Sequence, residues 1–179
     1  MKILLRHLEK SSCGTAAVEM ALVMPMLLTI MFGSFELGNY FLDNHIVAKA
    51  VRDGARYAAR LPIDNYSCPI GSSVGSLTGG SAAIKEVTRT GKADGTGIPR
   101  LGTWTDSGTT VTISVSCGSV STYKGIYTGL PGNVPIVTVS ATVAYNSLFG
   151  RLGWGFGRSG GMGSTLNITA RSQAAVMGI

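Results

Sequence analysis

The chain has few of the side chains on which enzymes and metal centres depend. It contains two histidines, three cysteines and nine acidic residues among 179, and only 13% of its residues are charged. Metal sites need three or four convergent ligands, and the scattered acidic residues show no spacing that singles out an acid/base pair. His7 lies in the basic head, and His45, on the helix just outside the apolar run, is more simply interpreted as a solvated or interfacial residue than as a catalytic base. The sequence therefore predicts no enzyme, no metal, no cofactor and no small-molecule substrate.

Clustered positive charge is also scarce, although the formal net charge is +6. Residues 1–10 carry Lys2, Arg6 and Lys10 against Glu9, which gives this head +2 of that total. No Lys/Arg cluster interleaved with aromatic residues follows, so a nucleic-acid partner is not expected. The low charge combined with many Ser, Thr and Gly residues does not indicate a highly charged disordered tail either.

A long apolar run follows the basic head. Residues 15–35 have Glu19 as their only charge, and as a helix they would be about 30 Å long, the thickness of a bilayer's hydrocarbon core. Basic residues favour the cytoplasmic side, so we expect residues 1–14 inside and residues after about 37 exported. The run is longer than a secretory signal, and Gly33-Ser34-Phe35-Glu36 is a poor cleavage site for one. The run therefore predicts a single transmembrane helix over residues 15–37.

The helical pattern continues past the membrane, over residues 38–61. Val47, Val51 and Ala55 recur every four residues, beside a small-residue ridge that can approach a sheet closely. That ridge consists of Ala50, Gly54 and Ala58. The charged residues expected to lie on a solvated face are Lys49, Arg52, Asp53, Arg56 and Arg60. Because Pro62 ends the pattern, the sequence predicts one helix from Thr15 to Arg60, about 69 Å long.

The remaining residues, 62–179, predict one small α+β domain. A short helix is expected over Ser81–Thr90, capped by Ser81 and closed by Gly91, with Ile84 and Val87 facing inward. Alternating apolar and polar residues predict three antiparallel strands on the outer half of the long helix. Their ranges are Thr110–Cys117, Pro135–Tyr145 and Thr165–Val176. A fourth strand near Trp104 or Tyr123 is left open.

Three Gly- and Ser-rich segments, residues 64–80, 91–109 and 118–134, are predicted to be loops. The segment Gly155–Gly160 matches G-x-G-x-x-G, but no βαβ unit surrounds it, so we do not expect a dinucleotide there. We interpret residues 150–163 as a hairpin loop whose Trp154 and Phe156 contact a partner subunit or the membrane surface.

The cysteines are informative about export. Cys13 belongs with the basic head, which leaves Cys68 and Cys117 as an even pair. In an oxidising compartment such a pair predicts one disulfide. Two independent thiols are the alternative.

The residues around the apolar run resemble a known family. Gly14 followed by Glu19 is similar to the processing site of type IV prepilins. The longer pattern resembles the TadE-like minor pseudopilins of tight-adherence (Flp-type) pilus systems. It comprises Ala17–Val23, Pro25, Gly33, Glu36, Gly38 and Ala50–Ala59. Met20 differs from the tyrosine of the major Flp pilin, which favours a minor component.

The resemblance implies a function and a set of partners. A prepilin peptidase would cut between Gly14 and Thr15, and the exported domain would remain anchored in the bacterial inner membrane, facing the periplasm. The implied partners are the peptidase, the major Flp pilin, other minor pseudopilins, the inner-membrane assembly platform with its ATPase, and an outer-membrane secretin. The lipid bilayer surrounds the helix. Pilus biogenesis, adhesion and biofilm formation are the implied roles, with incorporation into an extracellular pilus left open.

Two residues of the run need a physical account. The resemblance implies that Glu19 pairs with the ammonium group that cleavage creates on Thr15, of the same or a neighbouring subunit; an interfacial carboxylate that reaches water is the alternative. Pro25 removes one backbone hydrogen bond and predicts a kink. The rival to the pilus function is an uncleaved, membrane-anchored periplasmic binding or adhesion module.

Overall fold

The computed structural model describes residues 13–105, 110–119, 132–149 and 166–178, together with residues 122, 125, 127 and 128. Its elements confirm the predicted α+β class, a long apolar N-terminal helix and a small antiparallel sheet. In chain order they are α1 (Cys13–Ala59), a 3-10 helix (Ile63–Asn65), β1 (Tyr66–Ser67), β2 (Val74–Leu77), α2 (Ser81–Thr90), β3 (Val111–Gly118), β4 (Val134–Ala144) and β5 (Asn167–Ala175).

The helix α1 is continuous over 47 residues, as the sequence predicted. It ends at Ala59, three residues before Pro62, and its last carbonyls accept hydrogen bonds from the chain that follows. The Tyr66 hydroxyl donates to the Ala58 oxygen at 2.6 Å, and the Met177 N–H donates to the Ala59 oxygen at 2.9 Å. These bonds satisfy carbonyls that a helix end otherwise leaves unpaired.

The chain forms two compact units that divide within α1, between Asn39 and Tyr40. In the first unit, the described residues are all helical. The second unit comprises the last part of α1, α2 and the whole sheet. The predicted boundaries at residues 14, 37 and 61 remain predictions.

The sheet has five strands in the order β1-β2-β3-β4-β5, and all neighbours are antiparallel. The three predicted strands are confirmed as β3, β4 and β5. The prediction of an unbroken loop over residues 64–80 is wrong, because β1 and β2 lie there. Each is short, and Val74-Gly75-Ser76-Leu77 has no clear alternation. Their pairing, Tyr66↔Leu77 and Val74↔Ser116, depends on long-range neighbours rather than on local preference.

One face of the sheet packs with α1 and α2 to form the core. Alternate residues of β3, β4 and β5 point inward, and most of the core side chains are Val or Ala. The buried core members from β3, β4 and β5 are Val111, Val115, Val137, Val139, Ala141, Val143 and Ile168. Trp104, which lies in no strand, is fully buried and donates its Nε1–H to Thr110 Oγ1 at 2.9 Å. Tyr123 lies outside the described residues.

The short helix α2 occupies the predicted range, but its predicted cap is wrong. The N-cap is Gly80, in the left-handed conformation with no side-chain bond, and Ser81 is the first helical residue. Glycine adopts that conformation without a Cβ penalty, which favours its use here. At the other end Gly91 closes the helix as predicted, and Ile84 and Val87 are buried.

Candidate functional site

The predicted processing segment lies on the first turns of α1. Gly14, Thr15 and Glu19 are all helical and exposed. Residues four apart share one helix face, so Glu19 lies one turn from Thr15 on the same side. The structure therefore places a carboxylate near the position where cleavage after Gly14 would create an amine. The cleavage itself, and the pairing of Glu19, remain predictions.

The surface around this segment is apolar and exposed. From Val18 to Leu37 most of the large hydrophobic side chains are exposed, and the most apolar stretch of α1 has none of its residues buried. An exposed apolar surface of this extent indicates a partner other than water. By length and composition α1 is able to span a membrane.

Pro25 lies inside this part of α1, and the helix continues past it. Nearby hydroxyls donate to the helix carbonyls, Thr29 Oγ1 to the Pro25 oxygen at 2.7 Å and Ser34 Oγ to the Ile30 oxygen at 2.8 Å. Such bonds satisfy polar groups without water, as a membrane requires. The predicted kink at Pro25 remains a prediction.

The second half of α1 is packed against its own domain. Val47, Val51 and Ala55 are buried as their spacing predicted, and so are Ala50 and Ala58 of the small-residue ridge. The third member of the ridge, Gly54, faces α2 rather than the sheet. A Cβ at Gly54 would overlap Thr88 Oγ1 and lie 3.2 Å from Thr88 Cβ. Glycine is therefore required for the close approach of the two helices.

The charged face of α1 is solvated, with one exception. Lys49, Arg52, Arg56 and Arg60 are exposed, whereas Asp53 is half-buried. Its Oδ2 accepts a hydrogen bond from Arg100 Nη2 at 2.9 Å. Sequence reasoning missed this ion pair, because Arg100 lies in a predicted loop far along the chain. It joins α1 to the segment after α2.

The predicted disulfide is confirmed. Cys68 and Cys117 are bonded, with their Cα atoms 5.6 Å apart. The bond joins the segment after β1 to the end of β3, and β2 passes over it. A Cβ at Gly75 would lie 2.8 Å from Cys117 Sγ and 2.9 Å from Cys68 Sγ, so only glycine fits there without displacing the bond.

A phenol is buried near the end of α1. Tyr66 is 8% exposed, and its hydroxyl reaches the Ala58 carbonyl. Burial raises the pKa of Tyr66 to about 12 because it disfavours the phenolate. No sequence pattern indicated this contact, since Tyr66 lies in a predicted loop.

Among the described residues, no three His, Cys, Asp or Glu side chains converge to hold a metal ion. An open groove of about 660 Å³ lies between the start of β1 and the start of β4, and Asp64 is the only carboxylate among the described residues that line it. A lone carboxylate offers no acid/base pair. Trp154 and Phe156, predicted to contact a partner, lie outside the described residues, as does G-x-G-x-x-G.

Comparison with known proteins gives a match over the N-terminal helix. Residues 14–56 match the family model described as TadE-like protein. The match begins at Gly14 and ends inside the packed half of α1, so it includes both halves of the helix. The curated proteins and the solved structures give no match.

Proposed function

We propose, on the premise that this chain is a TadE-like protein of tight-adherence pilus systems, that it acts as a minor pseudopilin in the assembly of a Flp-type pilus. A prepilin peptidase cuts it after Gly14, and the mature chain begins at Thr15. Residues 15–37 span the inner membrane, and residues 38–179 lie on the periplasmic side. Its partners are the major Flp pilin, other minor pseudopilins and the assembly platform. Adhesion and biofilm formation are the expected cellular outcomes.

The observation that supports this function best is the division of α1. One continuous helix has an exposed apolar first half and a second half that is packed on its own sheet. A pilus subunit needs both properties, because its helix must be stored in lipid and must also hold a folded domain. Among the described residues no three His, Cys, Asp or Glu side chains converge to hold a metal ion, so the division of α1 carries the proposal.

Glu19 has a defined role in this proposal. A carboxylate within a membrane is costly unless an opposite charge lies close to it. Cleavage supplies such a charge as the amine of Thr15, on the same helix or on a neighbouring subunit. In a medium of low dielectric constant the pair offsets much of the cost of burying either group. A partner amine from a neighbouring subunit would also fix the axial register.

The N-terminus of the chain tests the proposed processing. We expect the protein, expressed with its prepilin peptidase and isolated from membranes, to begin at Thr15 by mass spectrometry. A chain that begins at Met1 would instead support the uncleaved binding or adhesion module. A chain trimmed beyond Phe35 would contradict both, because the apolar run would then be a removable signal.

Glu19→Ala tests the charge pair. Breaking a buried ion pair costs about 3–5 kcal/mol, so we expect incorporation into pili to fall about a hundredfold or more, with the domain and its disulfide intact. Glu36→Ala is the matched control, since Glu36 is a carboxylate at the far end of the same apolar run; we expect it to assemble normally. Undiminished piliation with Glu19→Ala would refute the pairing.

A further inference from the structure

The strand β4 runs antiparallel to the packed half of α1. At its start, the Val176 N–H donates to the Pro135 oxygen at 3.0 Å, and the next residue, Met177, donates to Ala59 at the end of α1. Past its last residue, the ring of Tyr145 lies edge-to-face against Tyr40, with ring centroids 5.3 Å apart. The chain after Tyr145 therefore leaves the sheet beside residue 40, where the packed half of α1 begins.

This end of the domain is apolar. Phe41 is 54% exposed, Leu42 65% and Leu148 54%. Leu166, also exposed, lies beside Tyr145, whose N–H donates to the Leu166 oxygen at 2.9 Å. Residues 37–42 and 145–149 contain no charged side chain. We call this surface the collar; it consists of Tyr40, Phe41, Leu42, Tyr145, Leu148 and Leu166.

We propose that the collar is a second lipid-binding surface, which lies in the interfacial layer of the bilayer next to the transmembrane part of α1. Tyr40 follows Leu37, the last residue of the proposed span, by less than one turn of the same helix. Tyrosine concentrates at membrane interfaces because its ring is apolar and its hydroxyl is polar. Tyr40 is half-buried and Tyr145 is buried, so the exposed area of the collar comes from Phe41, Leu42, Leu148 and Leu166, which carry no charge.

Lipid, rather than a second copy of the chain, is the occupant because the collar continues an apolar surface that already needs one. Leu37 is exposed on α1 immediately before the collar, and Phe41 and Leu42 extend that exposure. Removing apolar area from water is favourable, so a chain anchored by its membrane span is further stabilised when the collar also leaves water. This inference rests on the proposed function only in requiring that residues 15–37 span a membrane.

The experiment places an environment-sensitive fluorophore (NBD) at single cysteines of the full chain, in a Cys13→Ser background that retains the disulfide. Leu148→Cys and Leu42→Cys report on the collar, and Leu27→Cys reports on the span. Ile98→Cys is the matched control, an exposed aliphatic residue. Ile98 is two residues from Arg100, whose partner Asp53 lies about 20 Å along α1 from Tyr40. Each variant is reconstituted in phosphatidylcholine vesicles with and without nitroxide-labelled headgroups.

We expect the labels at 148 and 42 to show blue-shifted emission and strong quenching by the nitroxide lipid, and the label at 98 to show neither. If both collar labels stay unquenched while the label at 27 is blue-shifted, the collar proposal is wrong and the span is retained. A blue shift at 148 and 42 without quenching would mean contact between copies of the chain, which also overturns the proposal. If the label at 27 shows the emission of a water-exposed fluorophore, residues 15–37 do not span the membrane, and both proposals are wrong.

Discussion

The two halves of α1 belong to one helix but differ in what surrounds them. Up to residue 39 most of the large apolar side chains are exposed, whereas from Val47 onward most of the apolar side chains are buried in the chain's own domain. Glycine shows the same contrast. A Cβ at Gly33 or Gly38 would meet nothing within 4 Å, but one at Gly54 would overlap Thr88.

The contrast shows that hydrophobicity alone does not identify a core. The first half is the more apolar in sequence, yet most of its large apolar side chains are exposed. The second half carries more charge, but its small residues form a narrow buried stripe. A helix can thus supply a surface for lipid or other subunits and a surface for its own domain, provided the two are separated along its length.

The largest expected difference between domain stability and membrane insertion comes from removal of the disulfide. The double variant Cys68→Ser, Cys117→Ser removes a link between residues 49 apart in sequence. The chain-entropy relation gives a loss of about 4 kcal/mol in the free energy of unfolding of the domain. We expect membrane insertion to be unchanged, because the link lies wholly outside α1.

Denaturant unfolding in mild detergent measures this loss through the fluorescence of buried Trp104, in a Trp154→Phe background. Cys13→Ser is the control and should leave the unfolding free energy unchanged. A loss of insertion in the double variant would show that the two halves of α1 are energetically coupled, contrary to the comparison drawn above.

Alanine at the helix glycines should act with opposite sign in the two halves. Gly38→Ala adds a methyl group in open space, so we expect it to favour helix formation by up to about 1 kcal/mol. Gly54→Ala adds the same group against Thr88, where overpacking costs about 1–3 kcal/mol. Helix content in detergent and domain unfolding measure the two effects.

A second substitution shows whether the overlap with Thr88 is the cause. Thr88→Ala removes the Oγ1 that the new methyl group would meet, so it should recover part of the stability lost in Gly54→Ala. Equal losses with and without Thr88→Ala would assign the effect to some other cause.

The smallest expected effect concerns the end of α1. Tyr66→Phe removes the hydrogen bond to the Ala58 carbonyl and should cost about 1 kcal/mol near neutral pH. The pKa of Tyr66 is raised from 10.0 to about 12 in the folded protein. Folding therefore favours the neutral phenol, and its contribution is complete below pH 10 and is lost as the pH rises from 10 to 12.

Unfolding of the domain across that pH range measures the effect. Wild-type protein should lose more stability than Tyr66→Phe between pH 10 and 12, so that the two profiles converge. Parallel profiles would mean that Tyr66 ionises as freely in the folded as in the unfolded chain.

Regular patterns carried most of the successful prediction. The range of α1, the three long strands and the Cys68–Cys117 bond follow from periodicity, proline position and cysteine count. Short or irregular elements were not predicted, since β1 and β2 have too few residues to show a period. Gly80 was not predicted as the N-cap of α2 because its role depends on backbone conformation rather than on a side-chain oxygen.

The sequence by itself determined a long apolar helix with an acid near its start, and a small α+β domain after it, because both depend on repeats along the chain. Only the tertiary structure decided which residues meet across long distances. It paired Asp53 with Arg100, directed Gly54 to Thr88 and brought Tyr145 to Tyr40. Such contacts depend on how elements pack in three dimensions, which local sequence patterns do not predict.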